Sequence, residues 1–371
     1  MKQLLIIIFI LGFVRASQAE VFCVENSTEL NVAFQSANNN GESDEIRLKS
    51  GDYFTLNNSP FYYDQSENET LEISGGWFDF NQFGCFNQTI SPMNTTIDAM
   101  SFSTVLFFSY DNDFPNFNVF ISNLSIANGN STSNVGSGIQ MALPALHTGQ
   151  VQINRVYFIG NDSNQNSALT ITRANITTIK NSVFQYNESS GGFGTIQVNP
   201  VEPSIGVYFF NNTVINNSHN IALPDHTHSA GLVVNITSEN VDGYPKALIA
   251  NNLFWNNDNK DIKLSDNGTV YFYNNNFQTL HGHPDFPANN MSEPPMLAPQ
   301  ILTFTPMPGS PLIDRGINEI HLSRNLLVPF EEDWSYGSQD FDGFSRVING
   351  RVDIGAVESP PETPIFKNSF E

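Results

Sequence analysis

Five of the seven histidines fall between His219 and His283, and two pairs of them have a spacing that metal sites use. "DHTH" runs from Asp225 to His228 and "HGHPD" from His281 to Asp285. A His-x-His on a strand sets both imidazoles on one face. His226 with His228, and His281 with His283, would then hold zinc or copper if the two segments met across the fold. Proline and glycine neighbours place both pairs in loops, where solvated histidines are the competing reading. Further on, "DFDG" sets Asp340 and Asp342 two apart before a glycine, as a calcium loop begins, but the later acidic ligand of such a loop is missing. No cofactor is expected, with calcium as the alternative, and a structural cap is the preferred role for these carboxylates.

Polysaccharide chemistry needs other groups. A glycosidase needs two carboxylates flanking one bond. Between Ile121 and Leu280 acidic residues are sparse, and no pair recurs two apart on one strand face. A lyase would want a base, often beside calcium. Arg155, Arg173 and His228 are the candidates, with Lys180 near the first two in sequence. A binding module would instead stack sugars on aromatic rings beside hydrogen-bonding amides. Trp77, Tyr208, Trp255 and Tyr273 are the candidates for that role, with packing as the alternative for each.

The bulk composition narrows the partners. Thirty-seven acidic residues against 15 basic ones leave a formal charge of −22, so clustered Lys and Arg for nucleic acid or an anionic membrane are not there. The first 19 residues read as a secretory signal peptide: Lys2, an apolar run from Leu4 to Val14, then Ser17-Gln18-Ala19. That run is short for a membrane span, and no later stretch approaches spanning length, so no transmembrane segment is expected in the mature chain. The only two cysteines, Cys23 and Cys85, are expected to pair in an oxidising compartment.

What must position these groups is a repeat. "ISNLSIANG", "INRVYFIGN", "IKNSVFQYN", "FFNNTVINN", "IANNLFWNN" and "FYNNNFQTL" begin at Ile121, Ile153, Ile179, Phe209, Ile249 and Phe272. Asn123, Asn181, Asn211, Asn251 and Asn274 share the third position, with Arg155 as the exception. Asn161, Asn187, Asn217 and Asn257 share the ninth. The spacing between repeats varies from 23 to 40 residues, too irregular for a leucine-rich solenoid. Short strands with loops absorbing the variation predict an all-β, right-handed parallel β-helix. Coils stack at about 4.8 Å, so equivalent asparagines lie above one another at corners, where Asn tolerates left-handed backbone and amides can chain. Phe158, Phe184, Val214, Phe254 and Phe277 are expected to form one inward stack.

Both ends of the coil need covers. Asn26 with Glu29 predicts a capped N-terminal helix burying Leu30, Ala33, Phe34 and Ala37. At the other end, "GSPLIDRG" (Gly309 to Gly316) and "DFDGFSRVINGRVDIGAVE" (Asp340 to Glu358) resemble the C-terminal signature of bacterial secreted right-handed parallel β-helix repeat proteins with a choice-of-anchor Q segment. "ISGGW" followed by Cys85 is similar to their early coils. The resemblance implies export to a bacterial surface or the extracellular space, and no established reaction. Asp340, Asp342, Arg346, Arg351, Asp353 and Glu358 alternate charge, which suits an ion-paired cover over the last coil. The expected plan is a signal peptide (1–19), the β-helix with its N-terminal cap (20–285), C-terminal coils and cap (286–359), and a tail (360–371) with no LPxTG-type motif or apolar end.

The expected function is non-enzymatic binding of a polysaccharide or cell-surface glycan by a secreted, monomeric protein. A lyase or hydrolase working in a groove along the coils, and a plain structural stalk, are the alternatives.

Overall fold

The computed structural model describes residues 19–38, 40–80, 84–131, 136–190, 194–201, 204–219, 228–236, 245–265, 267–299, 303–318 and 337–361. The expected signal peptide apart from Ala19, the end of the tail, Asp225 and His226 lie outside them.

Parallel pairing dominates. Among the described residues, sheets of 16 and 8 strands extend along the molecule and a 4-stranded sheet lies in its middle coils, with parallel neighbours one coil apart except for the antiparallel pair at Trp77–Phe78 and Asn87–Gln88. This is the expected parallel β-helix. Its register explains the branched residue that opens each repeat: Ile46, Ile73, Ile121, Ile153, Ile179, Phe209, Ile249 and Phe272 stand in one continuous inward row. A second row carries Phe158, Phe184, Val214 and Phe254, with the first two rings stacked at 4.5 Å. Phe277, expected fifth, is only partly buried and meets Phe272 edge-on at 5.4 Å. Both rows belong to one core that extends from end to end.

The corners explain the asparagines. All five third-position asparagines and Arg155 have φ between 48° and 58°, as does Asn289 in the last coil. The left-handed backbone that Asn tolerates is therefore what these positions require. The continuous amide ladders, however, sit elsewhere than expected at this corner. They run one residue on, through Asn212, Asn252, Asn275 and Asn290, whose side chains bond in sequence at 2.9–3.2 Å. A second ladder joins Asn161, Asn187, Asn217 and Asn257 at 2.9 Å, again one residue after left-handed Gly160, Tyr186, Asn216 and Asn256. In both ladders the amide hydrogens also reach a backbone carbonyl, such as Phe209 O from Asn252 and Phe184 O from Asn217. The residue after the corner is the one whose side chain turns into the coil interior, where an unbonded amide would be costly.

The N-terminal end is covered as expected. Helix α1 (Ser27–Ala37) is capped by Asn26, which accepts from the Thr28 and Glu29 N–H groups at 3.1 Å, and it buries Leu30, Ala33, Phe34 and Ala37. Phe34 lies 6.3 Å from Phe61 and 6.1 Å from Tyr63. Cys23 and Cys85 form a disulfide that ties the first strand, Glu20–Val24, to the loop before Asn87.

The C-terminal segment departs from its expected place over the last coil. It runs back along the flank of the solenoid instead. Ala356 N–H donates to Thr213 Oγ1 at 2.9 Å, Gly355 N–H to Asn251 O at 2.9 Å, and Phe341 packs edge-on against Tyr157 at 6.2 Å. Gly343 backs so closely onto Ile90 that a Cβ there would lie 2.8 Å from its side chain. Corner asparagines beside the ladder anchor this strap: Asn274 donates to Arg315 O at 2.7 Å and Asn251 to Ile317 O at 2.9 Å.

Candidate functional site

The strap decides the fate of several predicted site residues. Tyr208 and Tyr273 point away from the coil interior but are buried, 6% and 2% exposed, in a cluster with Val352. Neither presents a ring face to a ligand. Trp255 is half-buried against a cluster that includes Phe304, Leu312 and Phe341 of the strap. Arg155 is half-buried, and burial lowers its pKa, with the charge of Asp340 in the strap partly offsetting that. Arg173 is exposed after the strand Asn166–Thr172 of the 8-stranded sheet, whereas Arg155 lies in Gln150–Ile159 of the 16-stranded sheet. They do not converge.

The strap is itself a knot of buried charge. Arg346 is fully buried, pairs with Glu358 at 3.1 Å, and donates to Ala356 O at 2.9 Å. In the orientation that satisfies both groups, the Asn211 amide oxygen accepts from Arg346 Nε at 3.1 Å. Asp353 accepts from the Asp314 and Ser359 N–H groups, both at 2.7 Å. Asp340 accepts from the N–H groups of Asp342, Phe344 and Glu358 at 2.8–3.0 Å, using both its oxygens. Burial holds Glu358 above the usual carboxylate range against the pull of Arg346. Burial and the Asp340 charge raise Asp342 to about 6. Asp340 is thus committed to the backbone, which favours the structural reading of "DFDG" over a calcium loop.

His226 lies outside the described residues, so of the two histidine pairs only His281 with His283 is described in full. His281 and His283 are exposed, while His228 is half-buried with its ring stacked on His219 at 4.9 Å. Among the described residues, no group of three or more His, Cys, Asp or Glu side chains could hold a metal ion.

Two outer faces carry groups that chemistry could use, and sequence reasoning missed both. One is the outer face of the 8-stranded sheet. Parallel register lines up Tyr62, Phe107, Gln140, Thr170, Gln197, Val233, Lys263 and His281 in a single row. Tyr62 is 46% exposed, and its ring stacks on that of Phe107 at 5.7 Å with 14° between planes. Gln140, Thr170, Gln197 and Val233 further along the row are buried, 2–9% exposed, so the face is open at the Tyr62 end and again at His281. The alternation in "FYYDQ" and "LFFSY" was the available signal, since every second residue must face outward.

The other is the outer face of the first coils on the 16-stranded sheet. Glu45 stands in register with Glu72, and Arg47 with Ser74. Arg47 chelates Glu45 through Nε and Nη2, both at 2.6 Å, and lies 4.2 Å over the Trp77 ring. Trp77 therefore supports an ion pair rather than standing free. Glu72 is largely open to solvent at its edge, yet packing about its carboxyl and then the Glu45 charge raise its pKa, with Arg47 opposing. The recurrence of Glu-Ile in "DEIRLK" and "LEIS" marks the pair in the sequence, upstream of the repeats.

No helix among the described residues is long and apolar enough to cross a membrane. Comparison with known families, characterised proteins and solved structures gives no match for this chain.

Proposed function

We propose that this is an exported, non-enzymatic glycan-binding protein of the bacterial surface or extracellular space, and that it holds polysaccharide on the outer face of the 8-stranded sheet. The observation that carries the reading is the Tyr62 ring, 46% exposed and stacked on the half-buried Phe107 ring at 5.7 Å, at the open end of the row. Aromatic rings supply apolar area for the C–H face of a sugar, and the Tyr62 hydroxyl can both donate to and accept from its hydroxyls. Export rests on the apolar N-terminus, and attachment at a bacterial surface on the resemblance of the Gly309–Glu358 region to choice-of-anchor Q proteins. Affinity electrophoresis through gels containing neutral and acidic polysaccharides tests it. Retardation in at least one polymer, lost in Tyr62→Ala and Phe107→Ala, is expected; migration indifferent to every polymer would sink the reading.

A second reading has its own observation. Glu45, ion-paired with Arg47, stands one coil from Glu72, whose carboxyl is pushed toward its neutral form by packing and by the Glu45 charge. Such a pair is what acid-assisted glycoside hydrolysis requires. New reducing ends released from a polysaccharide panel, and abolished by Glu72→Gln, would favour hydrolysis over simple binding.

A further inference from the structure

The corner column of left-handed residues ends at Asn274 and Asn289, which are adjacent because Tyr273 pairs with Ala288. At that end a small cavity of about 210 Å³ opens, lined by Asn274, Asn289, Met291, Arg315 and Arg351. It lies below the roughly 300–1,000 Å³ of pockets that enclose drug-sized ligands, so it suits a single small residue or a chain end. Two features of its lining point to a ligand.

The first is charge. The chain has 37 acidic residues and 15 basic ones, yet two arginines meet here with no carboxylate in the lining. Among the described residues neither Arg315 nor Arg351 forms an ion pair; Arg351 makes one long bond, from Nη1 to Asp314 O at 3.3 Å. In so acidic a protein, paired guanidinium groups without an acid are a site of positive potential that an oxyanion would occupy.

The second is a missing donor. Asn274 is 6% exposed, and its Nδ2 donates to Arg315 O at 2.7 Å, which fixes the amide orientation. Its Oδ1 is buried with no hydrogen-bond partner. A buried acceptor left empty costs about 1–3 kcal/mol, and a ligand hydroxyl would restore the bond. An oxyanion alone answers the arginines but has no hydrogen for Asn274. A hydroxylated carboxylate answers both.

We infer that this cavity is a binding site for a sugar acid, its carboxylate held by Arg315 and Arg351 and a hydroxyl donated to Asn274 Oδ1. The inference deepens the glycan-binding reading by naming an acidic sugar, but it uses none of the residues of the Tyr62–Phe107 face. Titration calorimetry of the purified protein with sodium glucuronate, glucose and sodium sulfate at millimolar concentrations tests it. Saturable glucuronate binding is expected, with glucose and sulfate each at least tenfold weaker. Arg351→Gln and Arg315→Gln, both exposed side chains, should each lower glucuronate affinity tenfold or more without moving the thermal midpoint. Tyr62→Ala should leave it unchanged, which separates failure here from failure of the aromatic face. Absence of saturable glucuronate binding, equal binding of glucose or sulfate, or full affinity in both arginine variants would overturn the assignment.

Discussion

Asn217 offers the sharpest test of what holds the coils together. Its side chain is 1% exposed and makes four bonds: Oδ1 accepts from the Asn187 N–H at 3.0 Å and from Asn187 Nδ2 at 2.9 Å, while Nδ2 donates to Phe184 O at 3.0 Å and Asn257 Oδ1 at 2.9 Å. Asn217 is not in the left-handed region, so alanine brings no backbone strain. After Asn217→Ala, Asn187 Nδ2 keeps Phe158 O at 3.2 Å, and Asn257 Oδ1 keeps the residue 217 N–H at 3.1 Å. The Asn187 N–H loses its side-chain acceptor outright, at about 1–3 kcal/mol, and the weakened groups add about 0.5–1 kcal/mol each. The expected loss is about 3 kcal/mol. Asn217→Asp should cost more at neutral pH, because a carboxylate would face Phe184 O and Asn257 Oδ1 with no hydrogen to donate. Its deficit should shrink on acidification, as the carboxyl regains a proton. Equilibrium guanidinium unfolding, read as a midpoint shift at constant slope, measures both. A loss below about 1 kcal/mol for alanine, or aspartate as stable as wild type, would refute the view that buried amide chains bear the stacking.

Other outcomes follow from the same structure. Cys23→Ser with Cys85→Ser should lower stability by up to about 4 kcal/mol, because the disulfide closes a loop across 62 positions, and thermal midpoints with and without reductant should show the same gap. His147 is buried between coils, bonded to Phe117 O at 3.0 Å and accepting from the Asn175 N–H at 3.1 Å, and burial lowers its pKa to about 4. The unfolded chain therefore binds the proton first, so stability is intact above about pH 6.5 and falls toward pH 4, by about 3 kcal/mol; His147→Gln should flatten that part of the pH profile. Arg346→Met strands Glu358 and the carbonyls it serves, and should cost about 3–5 kcal/mol within the strap. Limited proteolysis should then cut near residues 337–361 while the coils stay resistant, and unchanged resistance of the strap would count against the knot.

Much of the coil was legible because it rests on local rules. The third position of each repeat was read as a corner, and every residue there does take the left-handed backbone, Arg155 included. The inward rows, the Asn26 cap and the Cys23–Cys85 pair also follow from alternation, short-range hydrogen bonding and cysteine number. The site was less legible. Glu45 and Glu72 share a Glu-Ile signature, but they lie upstream of the repeats, where no recurring position marks them as neighbours. The amide ladders were placed one residue early at one corner, because composition cannot tell which of two adjacent asparagines turns inward.

From its sequence alone this chain is a solenoid of known pitch and corner chemistry, since φ preferences and side-chain alternation act over a few residues and repeat with every coil. Which outward residues meet solvent was decided only by tertiary structure. Tyr208 and Tyr273 have the same outward alternation as Tyr62, yet the first two are buried in a cluster with the strap's Val352 and the third stands open. That difference depends on where residues 303–318 and 337–361 dock, and docking is set by complementarity summed over many coils. The same docking brings Arg315 and Arg351 to Asn274, from 41 and 77 positions away in sequence, and so creates the cavity at the end of the column.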